Sequence, residues 1–455
     1  MGLHVVILAA GKGTRMRSDK PKVLHEIAGK PMLHYVIETA QALHADQIHV
    51  VHGHGGDQVK QVSADYPVNW VEQAQQKGTG HAVQQAMPHV PDNAGVLVLY
   101  GDVPLTQSAS LQPLIDAANE GDLALLTSVL DDATGYGRIV RNANDLVRAI
   151  VEHKDAADDE LAIREINTGM LAAPAGRLRD WLSRINDDNA QGELYLTDIV
   201  GLAVADGVAV QAAHPQHAWE GDGVNSRQDQ ARLERIFQGL LADQLMADGV
   251  TVADPARLDI RGNLRCGRDV FLDVNTLFLG DVELGDGVSI GPNTIIDNCR
   301  VADGVHIREN CVLEKSTIGK DCTIGPFSRV RPESDLAANV HLGNFVELKK
   351  AKVAEGSKIN HLSYVGDSIV GRDVNIGAGT ITCNYDGANK HLTEIGDDVF
   401  VGSDTQLVAP VKVGKGVTIG AGTTVTRDIP DDLLCISRVP QKHIKGWQRP
   451  RKKGN

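Results

Sequence analysis

Residues 399–425, VFVGSDTQLVAPVKVGKGVTIGAGTTV, decide how the second half of this chain folds. Val399, Thr405, Val411, Val417 and Thr423 recur at every sixth position, as do Val401, Leu407, Val413, Ile419 and Val425, with Gly396, Gly402, Gly414 and Gly420 in step. Earlier, Leu272, Phe278, Leu284, Ile290 and Ile296 keep the same interval, so one unit recurs over most of 250–430. A helix repeats near 3.6, and a simple hairpin stack does not hold six over this distance. The pattern predicts a β-helix. Each hexad gives a short strand and a turn, branched side chains fill the interior, and glycines ease the backbone round the corners.

The first half has a different grammar. The short runs 5–8, 48–51 and 96–99 are almost wholly apolar, and 31–43 has helical spacing. This alternation predicts an α/β domain whose parallel sheet is buried on both faces. Between the halves, Leu233, Ile236, Phe237, Leu240, Leu241 and Leu245 share one face of a helix over 228–246. The expected organisation is therefore an α/β domain over 1–226, a linker helix over 227–247, and a β-helix domain with a C-terminal tail over 248–455.

At 455 residues the chain is long enough for two or three cores. Its net charge of −14 argues against a nucleic-acid surface as its main business. No run approaches the roughly 20 apolar residues of a membrane span. The opening MGLHVVILAAGKG lacks the charged start and cleavage site of a signal peptide and reads as a buried strand, so a cytoplasmic protein is expected. The six cysteines are scattered without a CxxC pair, which favours free thiols.

After the first strand comes Ala9-Ala10-Gly11-Lys12-Gly13-Thr14-Arg15-Met16. A dinucleotide fingerprint needs Gly where Met16 stands, and a P-loop needs a longer glycine spacing before its Lys. What survives is physical. Two glycines let backbone N–H groups approach an anion, and Lys12, Arg15 and Lys22 bring positive charge.

With Pro21-Lys22 behind it, LAAGKGTRM resembles the signature of sugar-phosphate nucleotidylyltransferases. Gln73, Gly78-Thr79-Gly80, Tyr100-Gly101-Asp102, Gly135-Tyr136-Gly137, Glu152-His153-Lys154, Asn167-Thr168-Gly169 and Gly223-Val224-Asn225 follow in that family's order. In the second half, Arg331-Pro332, GNFVELKK at 343–350, His361-Leu362-Ser363-Tyr364 and NIGAGTITCNYDGANK at 375–390 extend the likeness. Essentially the whole chain resembles bacterial bifunctional enzymes that join an N-acetylglucosamine-1-phosphate uridylyltransferase to a glucosamine-1-phosphate acetyltransferase. The resemblance implies a Rossmann-like nucleotidylyltransferase domain followed by a left-handed parallel β-helix of hexapeptide repeats. It also implies UTP and acetyl-CoA as co-substrates, Mg²⁺ as cofactor, and a homotrimer.

Attack of a sugar phosphate on the α-phosphorus of UTP brings two anions together and expels pyrophosphate, so charge neutralisation and alignment dominate the chemistry. Asp102 lies just past the strand 96–100, at the carboxyl end where such sheets place ligands, and its carboxylate suits Mg²⁺. The resemblance makes Asn225 the second metal ligand. On the residues alone Asn225 reads as part of a helix cap, because Ser226 and Asp229 make a capping box. By the same resemblance Leu8, Ala9, Ala10 and Gly11 border the nucleotide, and Arg15 and Lys22 hold the triphosphate and act catalytically. Gln73 and Thr79 read the uracil edge, Glu152 and Asn167 meet the sugar hydroxyls, Gly137 permits close backbone approach, and Gly78, Tyr100 and Gly101 belong to the same UTP- and UDP-sugar-binding set.

Acetyl transfer to an amine needs a base and donors for the oxyanion. A histidine suits that base, and 248–455 offers His306, His341, His361, His391 and His443. Spacing does not choose among them; the resemblance selects His361, with Glu347 to orient its ring or raise its basicity. It further implies Arg331, Lys349 and Tyr364 on the substrate phosphate, and Asn375 and Asn384 beside the sugar and acetyl group. The Ala378 N–H faces the oxyanion, and Tyr385, Ser403, Ala421 and Arg438 lie at coenzyme A.

The segment 384–390 breaks the hexad rhythm and is expected as an expelled loop. Lys442, Lys445, Arg449, Arg451, Lys452 and Lys453 make the tail basic, suited to an anionic coenzyme, with Trp447 as a packing anchor. A solenoid that only oligomerises, as in ADP-glucose pyrophosphorylases, has no need of His361 or NIGAGTITCNYDG. A non-enzymatic assembly subunit has no need of Gly11, Arg15, Lys22 and Asp102.

Overall fold

Alternation along two neighbouring strands sorts the core of the N-terminal half into two faces. In Leu3–Ala9, Val5 and Ile7 enter one hydrophobic cluster and Val6 and Leu8 the other; in Gly95–Tyr100, Leu97 and Leu99 join the first and Val96 and Val98 the second. Continuous apolar runs are what a sheet covered on both faces requires. The helix Met32–Ala42 buries Leu33, Val36, Ile37 and Ala40, the stripe its spacing predicted.

The computed structural model describes residues 1–11, 13–53 and 55–450. Lys12 and the tail residues Arg451, Lys452 and Lys453 lie outside them. The chain divides into two units, Met1–Phe237 and Gln238–Asn455. The division falls inside the helix Arg227–Ala247, the span expected as a separate linker.

In the first unit the strand order is Val210–Ala213, Leu123–Val129, Glu165–Pro174, Gly95–Tyr100, Leu3–Ala9, Gln47–His52, Asn69–Glu72. The sheet is mixed, not the parallel one that the apolar runs predicted. Glu165–Pro174 runs antiparallel to both neighbours and carries the hairpin of Arg138–Arg141 and Val147–Val151. An apolar run is silent on strand direction. From Leu3–Ala9 the chain builds outward to Asn69–Glu72, then returns to lay Gly95–Tyr100 on the other side of its first strand. A crevice opens at the carboxyl ends of strands where order reverses in this way.

In the second unit, Phe271 pairs with Ser289, Ser289 with His306, His306 with Thr323, Thr323 with His341, His341 with Lys358 and Lys358 with Asn375, all parallel. Successive coils therefore repeat after 17 or 18 residues, about three hexads. All fifteen non-glycine positions named from the periodicity are buried. The coil between Asn375 and its partner Phe400 is longer, and the extra residues form the expected loop after Ile381–Cys383.

The glycines act differently from the reading above. Gly396 and Gly402 have ordinary backbone angles, but a Cβ on either would meet the next coil's backbone, at 2.8 Å from Lys415 N and 2.5 Å from Ala421 N. Many corners are turned instead by non-glycine residues at positive φ, such as Asn275, Asn293 and Asn310. Asn tolerates that region better than most side chains.

Each part of Arg227–Ala247 packs within its own unit. Leu233 is buried with Met16, Ile27, Met32, Tyr35, Leu105 and Val224, and Phe237 meets Tyr35 edge-on at 5.1 Å. Ala242 and Leu245 join the β-helix core. Gln238 exchanges two hydrogen bonds with the backbone of Ile260, its Nε2 donating at 2.7 Å and its Oε1 accepting at 2.8 Å. Ile260 lies on Leu258–Cys266, which pairs with Thr276–Leu284 at its other edge, so the side chain satisfies the backbone groups of Ile260 at the near edge.

Candidate active sites

The crevice of the first unit is a cavity of about 240 Å³. Leu8, Ala9, Ala10, Gly11, Lys22, Gln73, Gly78, Thr79, Tyr100 and Asp102 line it, together with Gln76 and Glu193, which the sequence reading missed. Leu8 is in register with Tyr100, so two loops more than 90 residues apart leave the sheet side by side. Gly13 sits at φ +59, and a Cβ there would meet Lys22 Cβ at 2.7 Å. Gly78 sits at φ +105, where a Cβ would meet Leu194 O at 2.6 Å. Both positions require glycine. Gln73 is buried and its Nε2 donates to Gly78 O at 3.0 Å, while Thr79 Oγ1 accepts from Leu196 N at 3.2 Å.

Charge converges at the mouth. Lys22 Nζ is ion-paired with Asp102 and donates to Asn225 Oδ1 at 2.7 Å; Arg15 Nη2 donates to the same oxygen at 2.9 Å. The expected capping box is present, Asp229 N donating to Ser226 Oγ at 3.2 Å and Ser226 N to Asp229 Oδ2 at 2.8 Å. The cap is thus Ser226, and the Asn225 side chain is left for the crevice. Oxygens of Asp102 and Asn225 already converge on one ammonium, so this donor set fits a hard cation. Gly101 follows Tyr100 behind the mouth, where a Cβ would meet Val23 at 3.1 Å.

Gly137, Glu152 and Asn167 form a second group. Asn167 N donates to Gly137 O at 2.9 Å, and a Cβ on Gly137 would lie 3.4 Å from the Glu152 carboxylate. Burial raises the Glu152 carboxyl above its ordinary value, opposed by a hydrogen bond from Thr197 Oγ1 at 3.1 Å. The Tyr100 hydroxyl is raised by burial first, then by Glu152 and Asp102.

On the β-helix the structure separates His361 from His306, His391 and His443. His306 is bonded to Ser289, His391 to Asp386 Oδ2 at 2.6 Å within the expelled loop, and His443 lies in the exposed tail. His361 ends Lys358–His361, and its Nδ1 is 2.7 Å from Asn344 Oδ1. The expected partner Glu347 is occupied elsewhere: Arg331 Nη1 donates to its Oε1 at 2.9 Å. Coil stacking places Asn344 beside His361 and Glu347 beside Tyr364.

Around Tyr364, Lys349 is ion-paired to Asp367 at 3.7 Å, and Asn384 Nδ2 donates to Asp367 and, at 3.5 Å, to the Tyr364 hydroxyl. Lys390 lies close enough to Lys349 that its ammonium is depressed by that neighbour. Asp367 and Lys390 had no role in the sequence reading, because nothing local marks them. Asn375 is on the strand Asn375–Ile376, next to Lys358.

Ala378, Ser403 and Ala421 climb one corner with His361. Gly379 N donates to His361 O, Asp404 N to Ala378 O and Gly422 N to Ser403 O. Arg438 reaches the corner at Gly420, and Tyr385 is exposed on the loop, its hydroxyl donating to Gly387 O at 2.6 Å. Trp447 anchors nothing within its own chain. It is 65% exposed, since the chain forms no strand after Leu434–Cys435 to pack it against among the described residues.

The MobA-like NTP transferase domain matches residues 5–166, and six bacterial transferase hexapeptide repeats match 392–427. The bifunctional protein GlmU of Marinobacter nauticus is 56% identical over 450 residues, covering 99% of each chain. The chain belongs to the GlmU family. Bifunctional proteins GlmU of Aromatoleum aromaticum and Chromobacterium violaceum are 57% and 55% identical, each over 451 residues and 99% of both chains. A solved UDP-glucose pyrophosphorylase complexed with UDP-glucose covers 52% of this chain and 98% of its own at 15% identity and a TM-score of 0.44, a likeness too loose to bear on function. Like its relatives in the family, the protein is bifunctional. Its NTP transferase domain lies in the first unit, and its hexapeptide repeats belong to the left-handed β-helix of the second.

Proposed function

We propose that this bifunctional enzyme of UDP-N-acetylglucosamine synthesis acetylates glucosamine 1-phosphate at the His361 corner and transfers UMP from UTP to N-acetylglucosamine 1-phosphate in the crevice of the first unit. The observation that carries the reading is the presence of two unlike sites: a cationic crevice, and a histidine beside a basic cluster. In the crevice Arg15 and Lys22 neutralise the triphosphate while the sugar phosphate attacks the α-phosphorus and pyrophosphate departs. Asp102 and Asn225 would hold Mg²⁺, which when bound adds charge neutralisation at the triphosphate. Gln73, Gly78 and Thr79 face the base, and Glu152 and Asn167 orient sugar hydroxyls beside Gly137.

At the second site Arg331, Lys349 and Tyr364, with Lys390, take the substrate phosphate, and Asn375 holds the sugar. The amine nitrogen attacks the thioester carbonyl, its proton passes to His361, the C–N bond forms and the C–S bond breaks. The departing thiolate receives the proton His361 took. The Ala378 N–H stabilises the oxyanion, Asn384 and Tyr385 border the acetyl group, and Ser403, Ala421 and Arg438 hold the coenzyme.

The working form is a homotrimer in the bacterial cytoplasm. Phe327 and Phe345 stack at 5.2 Å on neighbouring corners, 49% and 53% exposed, and Leu362, 63% exposed, follows beside His361. All three hold positive φ, at 56, 57 and 49°. Bulky apolar side chains strained and left in water support burial against a second copy next to the site. Among the described residues no helix is long and apolar enough to cross a membrane.

The test is pyrophosphate release from UTP, Mg²⁺ and glucosamine 1-phosphate, with and without acetyl-CoA, and with pre-acetylated sugar phosphate as control. Dependence on acetyl-CoA with an active control supports both sites. An active control that acetyl-CoA does not extend to the amino sugar removes the acetyl-transfer assignment, and no release in any arm removes both.

A further inference from the structure

The acetyl-transfer base needs something to hold its ring, and the carboxylate expected there is engaged by Arg331. We propose that Asn344 is the positioning residue for His361, an inference that rests on the reading of His361 as the base. The two lie on parallel strands one coil apart, His341–Asn344 and Lys358–His361, paired residue for residue at Asn344 and His361. Their backbones are joined as well: Leu362 N donates to Asn344 O at 3.1 Å. The His361 carbonyl accepts from Ser363 Oγ at 2.8 Å and from Gly379 N at 3.2 Å, so the imidazole stands on fixed backbone.

An amide oxygen only accepts. With Asn344 Oδ1 at 2.7 Å, Nδ1 carries the N–H and Nε2 carries the lone pair. Nε2 has no partner among the described residues, so it is the nitrogen that takes the proton of the attacking amine. A neutral acceptor sets the tautomer and the ring plane without placing a fixed negative charge against the imidazole. This differs from a histidine–carboxylate pair, in which the partner also stabilises the imidazolium. His341, on the Asn344 strand, lies near enough to His361 to be lowered by it, as it is by Lys358 on the His361 strand and by Arg308; Arg331 and Glu347 are paired with each other. Asn375, on the coil beyond, is uncharged.

The test uses the full-length protein and compares N344A, N344D and H361A by acetyl-transfer kcat and KM across the pH range in which imidazole titrates. Uridylyl transfer to pre-acetylated sugar phosphate is measured on each variant. N344A is expected to lose about 10- to 100-fold in kcat, part of the 10²–10⁴ that a positioned base contributes, with KM for the amino-sugar phosphate changed by less than about threefold. N344D is expected to recover much of kcat. Its carboxylate favours the imidazolium, moving the acidic limb of kcat/KM to higher pH by about one unit.

Wild-type kcat and pH profile in N344A overturn the inference, as does equal loss in N344A and N344D with unmoved limbs, the mark of a merely structural residue. If N344A does not fold, N344D decides: a shifted limb supports the inference and an unmoved one overturns it. Retained acetylation in H361A would remove the reading of His361 and this inference with it. Loss in H361A beside wild-type behaviour in N344A removes the inference alone.

Discussion

The crevice of the first unit draws on Gly11, Lys22, Gln73, Asp102, Glu193 and Asn225, scattered over more than 200 residues and brought together by one reversal of strand order. The second unit instead sets Asn344, His361, Ala378, Ser403 and Ala421 on successive coils by repetition alone. A site gathered by long-range topology depends on the whole sheet. A site strung along a solenoid depends mainly on each coil and its two neighbours, because contacts in such a stack are nearly one-dimensional. Lesions should therefore stay local in the second unit and spread in the first.

The largest expected effect tests whether the two sites are separate at all. His361→Ala should cut acetyl transfer by at least about 10²-fold and leave uridylyl transfer to pre-acetylated substrate intact, while Asp102→Ala should do the reverse. Loss of both activities in either folded variant would break the comparison.

Next come the glycines. Gly402→Val pushes a side chain into Ala421 N and should destabilise its coils by roughly 3 kcal/mol. Hydrogen exchange should show lost protection around 375–425, with Leu3–Ala9 unaffected. Gly78→Ala forces a Cβ to φ +105 against Leu194 O and should cost roughly 1–3 kcal/mol. Its loss of protection should extend through the sheet of the first unit, and a response confined to the loop around Gly78 would contradict the contrast.

The smallest effect is titration. Burial lowers His49 to about 4, with His4 and His89 adding to it, and lowers His4 against the opposing pull of Asp46. Both folded values lie below the unfolded one, so between about 6.5 and 4 the unfolded chain binds protons that the native unit refuses. Stability present above 6.5 should therefore decline as pH falls through that window, by roughly 1–3 kcal/mol. Scanning calorimetry should place this decline in the transition of the first unit, and His49→Gln should flatten it. The second unit's His341 is also lowered but exposed, and its transition should move less.

How far the sequence was legible follows from the range of each interaction. Buried positions in the hexads and in strands such as Leu3–Ala9 follow from periodicity, because side-chain direction is a local property. The role of Gly402 was not legible, since it depends on a neighbouring coil 19 residues away, at Ala421. Glu347 looked like the partner of His361 because a carboxylate is the expected choice. Coil register assigns that position to Asn344, three residues earlier, and Arg331 accounts for Glu347. Asn225 needed the structure to separate it from the cap that Ser226 makes. Glu193 reaches the crevice from a segment with no pattern of its own.

The ladder leaves Asn375 and resumes at Phe400 in the same parallel register, although the chain between them is longer than in any other coil of that ladder. The corner after Cys383 thus works as a socket, where chain length is free to vary while the scaffold is not. Doubling a flexible loop there adds only about 0.6 kcal/mol of closure entropy. Asn384, Tyr385 and Lys390 all sit on that insert. On the proposed assignment of these residues to the acetyl-transfer site, rewriting a handful of them would change substrate preference, with every rung above and below left in place.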